Sequence, residues 1–269
     1  MTRSLITLLT ALAWTSAASA ADVALDLPQE APPPQAKEWT FSIAPYLWAA
    51  GLNGDVGLFG RQPVDVDMSF SDVFSNLRFG GMVVSELHNG TWGLFGDLIY
   101  VSTEADQSIT RTVLGAPATL SARVETQSLT ATVMGEYRAF AREYATVDLM
   151  AGARIWSVDN EISAALAAGG PEIAAFSGSD GATWVDPMIG AKARINTNSP
   201  WYFTAWGMIG GFGASADLEW DVLGGVGYQW NDRIATVGGY RALGVDYQDD
   251  GFVYDIVQHG WFFGAVMRF

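Results

Sequence analysis

The sequence predicts an all-β protein, an antiparallel β-barrel that crosses a membrane on its strands. Three observations lead there. First, the stretch from Gly260 to Phe269 alternates strictly, with Trp261, Phe263, Ala265, Met267 and Phe269 on one face and Gly260, Phe262, Gly264, Val266 and Arg268 on the other. That is the side-chain period of a strand. Its first face is apolar throughout, which suits lipid, where only helices and closed barrels satisfy every backbone group. Second, similar alternating segments recur along the whole chain, separated by turn residues. Third, beyond the N-terminal stretch no apolar run approaches the roughly 18 residues that a spanning helix needs.

Composition narrows the function classes. The 269 residues include no Cys, 29 acidic against 14 basic residues, 30 Gly and 11 Trp. Without cysteine there is no disulfide framework, thiolate metal site or thiol nucleophile. The acidic balance speaks against nucleic acid, which needs a basic footprint.

Residues 1–20 read as a secretory signal peptide, with Arg3 in the n-region, Leu5 to Trp14 as the apolar core and Ala18-Ser19-Ala20 as the cleavage site. Residues 21–38, with Pro28 and Pro32-Pro33-Pro34, read as an extended periplasmic linker. Residues 39–269 form the barrel.

Trp39 to Leu52 is the first strand, imperfectly paired at Pro45, which lacks a backbone donor. From Asn53 to Leu77 the chain is irregular. Within it Val64 to Met68 alternates as a short hairpin arm, and Ser71 to Leu77 suits one helical turn capped by Ser71 or Asp72. Arg78 to His88 and Thr91 to Glu104 are strands joined by Asn89-Gly90, a strong hairpin signal. Asp106 to Ala118 reads as a loop, Thr119 to Arg138 as a strand and Ala139 to Glu143 as a turn. Tyr144 to Val158 is a strand, and the Ala- and Gly-rich stretch Asp159 to Gly181 a long loop. Thr183 to Ile195, Trp201 to Gly213, Asp217 to Trp230, Arg233 to Val245 and Phe252 to Phe269 complete the strands, with turns at Asn196 to Pro200 and Asn231-Asp232 and a loop at Asp246 to Gly251. The count is about ten. It becomes twelve if Asn53 to Phe70 forms a further spanning hairpin, and eight if a pair is misread.

The ending resembles the C-terminal signature of bacterial outer-membrane β-barrels, an alternating strand finishing in Phe. The resemblance implies that Trp261, Phe263, Met267 and Phe269 form the signal read by the barrel-assembly machinery, and that the chain resides in the outer membrane. Gly227-Tyr228-Gln229-Trp230-Asn231-Asp232 followed by Gly239-Tyr240-Arg241 is similar to the strand-turn-strand ending of porin-like and OmpW-like barrels. Trp220 to Asp255 resembles a proteobacterial branch of such proteins. These motifs specify architecture and say little about cargo. A periplasmic C-terminus then puts the short turns in the periplasm and the connections 53–77, 106–118, 159–181 and 246–251 outside.

Parity assigns faces. In Asp217 to Trp230 the lipid face is Leu218, Trp220, Val222, Gly224, Val226, Tyr228 and Trp230. Trp and Tyr near strand ends suggest interfacial girdles. Opposite, parity points Glu86, Asp97, Glu136, Asp148, Asp186, Glu219 and Asp221 into the lumen, with Arg154, Lys192, Arg194 and Arg241. Lys192 and Arg194 fall near the periplasmic exit, within reach of Glu86 and Glu136. Glu219 and Asp221 fall near the outer mouth, and Arg241 in the constriction.

Catalysis finds little support. His88 abuts a turn and His259 shares the parity of Trp261, so no histidine accompanies Asp246, Asp249 and Asp250 at the outer mouth. The Asp249-Asp250-Gly251 loop lacks the ligand spacing of a calcium site, and no cofactor or metal is implied. The expected function is a narrow passive channel for small solutes or cations, since charged rings set ion preference. The alternatives are a non-conducting structural or surface-interaction barrel and, third, an enzyme on the outer rim. The expected partners are outer-membrane lipid, the assembly machinery and small solutes.

Overall fold

The computed structural model describes residues 38–113, 116–168 and 172–269. The expected signal peptide and nearly all of the expected linker lie outside the described residues. The elements in order are β1 (Thr40–Gly57), β2 (Val64–Met68), α1 (Phe70–Ser75), β3 (Leu77–His88), β4 (Trp92–Val113), β5 (Ala116–Arg142), β6 (Ala145–Ala168), β7 (Glu172–Asn196), β8 (Trp201–Gly211), β9 (Leu218–Gln229), β10 (Ile234–Asp249) and β11 (Phe252–Arg268). Neighbouring strands pair antiparallel in one sheet of 11 strands, and β11 pairs with β1 to close the ring. Because β2 hangs on β1 as a side arm, ten strands make the wall. The fold is an antiparallel transmembrane β-barrel.

Pro45 leaves its mark where expected. The β1–β3 ladder stops at Pro45↔Val83, and the β1–β11 ladder skips Ala44 and Pro45. Above that point β2 takes over the free edge of β1, from Leu52↔Met68 to Val56↔Val64. Helix α1 is capped two residues before Ser71, the earlier of the two caps that the sequence suggested. Ser69 is the N-cap and forms a capping box with Asp72, whose carboxylate accepts from the Ser69 amide at 3.0 Å. The Ser69 hydroxyl lowers the Asp72 carboxyl below its ordinary range.

Three expected loops are strand instead. Residues 106–113 and 116–118 belong to β4 and β5, residues 159–168 and 172–181 to β6 and β7, and residues 246–249 to β10. The last turn contracts to Asp250 and Gly251, with φ of 44° and 83°, the left-handed pair of a tight hairpin turn. The consequence is an uneven rim. β8 has 11 residues and β9 has 12, whereas β4 to β7 have 22 to 27. A four-stranded tongue therefore rises above one side of the barrel. We call this the tall end, and the opposite one, where the chain enters and leaves, the turn end.

The outward face is apolar, as lipid requires. Leu149, Ile189, Val222 and Phe263 stand 52%, 52%, 47% and 62% exposed on it. Aromatic pairs girdle the turn end: Trp92 with Tyr137 at 4.9 Å, Trp201 with Tyr228 at 5.0 Å and Tyr228 with Trp230 at 4.7 Å between ring centroids. Phe269 seals the seam there. It exchanges both backbone hydrogen bonds with Phe41, and their rings stack at 6.1 Å.

Candidate functional site: a filled lumen above an open vestibule

Alternation delivers the polar parity of every wall strand to the interior, where the side chains sort into three layers. The middle layer is an ion cluster. Arg241 on β10 donates to Asp97 of β4 at 2.6 Å, to Asp221 of β9 at 2.7 Å and to the Tyr46 hydroxyl of β1 at 2.7 Å. Tyr46 in turn donates to Asp97 at 2.9 Å. Arg154 on β6 donates to Asp221 at 2.7 Å and to the Thr132 hydroxyl of β5 at 2.8 Å, while the Trp206 indole of β8 donates to Asp221 at 3.0 Å. The Arg241 guanidinium also lies 5.2 Å from the centroid of the Trp48 ring and 5.3 Å from that of Trp206. Arg154 and Asp221 are 0% exposed and Arg241 1%. Two arginines against two aspartates leave the layer formally neutral, and its bonds run from wall to wall.

Above it sits an aromatic layer. Trp156 and Trp184, paired across β6 and β7, stack at 5.7 Å, and Trp184 stacks on Tyr247 of β10 at 4.0 Å with planes 4° apart. Tyr254, Phe252, Leu243 and Ile256 pack into the same cluster. Glu219 is buried beneath it, its carboxylate facing the Trp156 and Trp184 indoles, with Arg154 and Asp186 beside it. Asp186 does not join the ion cluster; it accepts the backbone amides of Ser215 and Ala216 at 2.9 and 3.0 Å and so anchors the β8–β9 loop. Glu219 and Asp221 thus lie wholly inside, beneath the aromatic layer, rather than at an outer mouth.

The turn end stays open. A vestibule of about 740 Å³ runs inward from the rim to Tyr46, Phe95 and Trp206. Lys192 pairs there with Glu86 and Glu136, each at 2.6 Å. Arg194 makes no carboxylate pair among the described residues; it lies over the Tyr202 ring at 3.5 Å and donates to Asn196 at 2.9 Å. Asp148 is held by Arg138 through two bonds of 2.7 and 3.0 Å. The opposite wall is apolar, formed by Leu223, Val237, Phe262 and Val266.

Sequence reasoning passed over several of these residues. Arg138 and His88 share parity with Glu136 and Glu86, and that signal was available. His88 points inward, its Nε2 3.7 Å from Asp148 and its Nδ1 accepting the Gly90 amide at 2.6 Å. His259 faces outward and shares a hydrogen bond of 2.6 Å with the Tyr240 hydroxyl.

Solved structures of similar shape are bacterial outer-membrane barrels. The outer membrane protease OmpT from Escherichia coli aligns over 87% of this chain and 98% of its own, with 9% identity and a TM-score of 0.51. The translocator domain of the autotransporter NalP from Neisseria meningitidis aligns over 86% of this chain and 89% of its own, with 14% identity and a TM-score of 0.40. The attachment invasion locus protein Ail of Yersinia pestis aligns over 86% and 99%, with 14% identity and a TM-score of 0.33. No family model and no curated protein matches the chain. At such identity the OmpT alignment speaks for the fold alone.

Proposed function

We propose that this outer-membrane barrel is a non-conducting one, a membrane-anchored scaffold that binds at its two ends. One observation carries the reading: the wall-to-wall ion cluster of Arg241, Asp97, Asp221 and Arg154 has essentially no exposed surface. Small barrels commonly fill their interior with side chains in this way. The tongue at the tall end then belongs to the cell exterior and the vestibule to the periplasm. The Asp246, Asp249 and Asp250 carboxylates sit at the tall end, far along the strands from His88 at the turn end, so an acid–base pairing for an outer-rim enzyme finds no support.

The test is a planar-bilayer recording of the purified full chain. Wild type gives no unitary current steps. Steady ohmic current, reproducible and lost on heat denaturation, would overturn the scaffold reading.

The passive-channel reading has one observation in its favour. The vestibule already spans the turn-end half of the lumen, so the ion cluster and the aromatic layer above it are all that separates it from the tall end. On that reading wild type conducts and a salt gradient reveals cation preference.

Phe269 provides a test of assembly. Its outward ring is 74% exposed, while its backbone holds the seam to Phe41. Phe269→Asp keeps the backbone bonds and removes the apolar ending, and we expect it to lower the amount of heat-modifiable barrel in the outer membrane severalfold. Unchanged levels would sink the assembly role, leaving the seam as the residue's only task.

A further inference from the structure

The tongue at the tall end has an open edge. β8 pairs with β7 only from Met188↔Gly210 to Asn196↔Tyr202, while β6 covers the other edge of β7 up to Ala167↔Glu172. From Glu172 to Pro187 no strand among the described residues covers the side that faces away from β6. At the base of this stretch the β8–β9 loop closes the gap: the Ser215 hydroxyl donates to the Val185 carbonyl at 3.0 Å, and Asp186 takes the Ser215 and Ala216 amides. Covering is obligatory where an edge would meet lipid. Higher up, from Glu172 to Trp184, the edge is left open to water.

Proteins usually blunt such an edge with lysine, proline, a bulge or brevity. Here there is no Lys or Arg from Ile155 to Ala191, and in β7 the single proline is Pro187, below the open stretch. The charges present are all acidic: Asp159, Glu161, Glu172, Asp180 and Asp186. Along the lumenal parity of β7, Phe176 and Asp180 stand four residues apart, while a register shift beyond Ala174 pairs Glu172 with Ala167 and turns it to the outward face. Phe176 is 57% exposed and Ile173, on the other face, 60%. Asp180 accepts the Phe59 amide from the β1–β2 turn through one oxygen, which leaves the other free for a partner. A cavity of about 540 Å³ runs across the tongue from Asp106 and Arg123 past Ser163 to Glu172, on the β6 side of β7 and not at its open edge.

We propose that the open edge of β7 is a strand-addition site for an extended basic peptide. The peptide hydrogen-bonds along the edge from Glu172 to Trp184, as in β-augmentation. A cationic side chain at one end meets Asp180 and an aliphatic one further along packs on Phe176, both on the lumenal face, while the cation at the other end is drawn to Glu172 on the outward face. Only its placement outside the cell rests on the assignment of the tall end to the exterior; the site itself rests neither on that nor on the barrel being closed, so a conducting barrel would leave it intact.

The probe is a labelled nine-residue peptide that alternates threonine with valine and carries lysine at both ends. Binding to the full chain in detergent is read by fluorescence anisotropy, and the contacted backbone by amide hydrogen exchange. We expect saturable binding that slows exchange at alternate amides between Glu172 and Trp184. The double variant Glu172→Lys with Asp180→Asn, which keeps an acceptor for the Phe59 amide, weakens binding at least tenfold. The same peptide with glutamate ends, or with alternate backbone amides methylated, does not bind. Equal binding of either control, protection elsewhere, or no binding overturns the proposal. Protection of these amides without peptide, rising with protein concentration, would identify a second copy as the occupant and overturn it too. Binding to purified protein but not to intact cells would refute the exterior assignment and leave the edge site standing.

Discussion

A single arginine at Val222, Leu149 or Ile189 lowers the stability of the barrel in lipid vesicles by about 2–4 kcal/mol, the cost of a guanidinium on the lipid face near the bilayer midplane. Val222 lies beside Asp221 in the strand and pairs with Gly207 and Ala242, at the level of the ion cluster. Its side chain is outward and 47% exposed, and the nearest acidic residue on the same face of a neighbouring strand, Asp246, is four residues further along β10. Ser42→Arg is the matching control. Ser42 lines the open vestibule and pairs directly with Glu86, so its arginine stays hydrated and gains a partner. Its cost stays within about 1 kcal/mol, as for a wet or interfacial position. Urea unfolding of the vesicle-inserted variants measures both. Equal losses at the two parities would mean that the outward face does not meet lipid.

The residues behind that prediction were legible because β9 alternates without interruption from Leu218 to Tyr228, and a period of two fixes the face of every residue once one is known. Asn89-Gly90 and the aromatic row of β11 were legible for similar reasons, since both are local signals. The tongue was not. Its strands carry Ala, Gly and Ser where strand formers are expected, and residues 159–181 look like a loop to any local rule. Strand preference is largely a matter of fit to neighbours, however. Nearly every described tongue residue has a partner in register on a neighbouring strand, as in Ser121↔Ala165 and Ser163↔Ser177, with Ile173 at a register shift the exception. Small side chains on the outward face cost such a sheet little, while Ile162, Leu166 and Phe176 keep the alternation on the other.

The interior divides the same way. Parity points a side chain inward, and position along the strand put Lys192 at the height of Glu86 and Glu136, with which it pairs; which groups meet across the middle of the lumen depends on how the ladders stagger around the ring. Trp184 and Tyr247 are stacked at 4.0 Å from strands that share no ladder. Arg241 reaches Tyr46, 195 positions away in the chain. The filling of the lumen was therefore invisible in a sequence that nevertheless disclosed its charges.

Arg241→Ala destabilises the barrel by about 3–5 kcal/mol, the usual cost of removing one partner from a buried ion pair. Asp97 keeps only the Tyr46 hydroxyl, and Asp221 keeps Arg154 and the Trp206 indole, so an uncompensated carboxylate is left in a dry layer. The penalty belongs mainly to that orphaned charge rather than to the lost attraction. Adding Asp97→Asn to Arg241→Ala consequently recovers a large part of the loss, since the amide is neutral and still accepts from Tyr46. Urea midpoints of the single and double variants in vesicles measure this. If the double variant were no more stable than the single one, the cost would be a packing cost and the ion cluster would have no electrostatic role. Current provides the second readout. The aromatic layer spans the lumen independently of Arg241, so the single variant stays silent in planar bilayers. Conductance appears when Trp184→Ala and Tyr247→Ala are added and the stack between opposite walls is lost. Ohmic current from Arg241→Ala alone would show instead that the guanidinium is the gate, and that the vestibule below it is half of a channel.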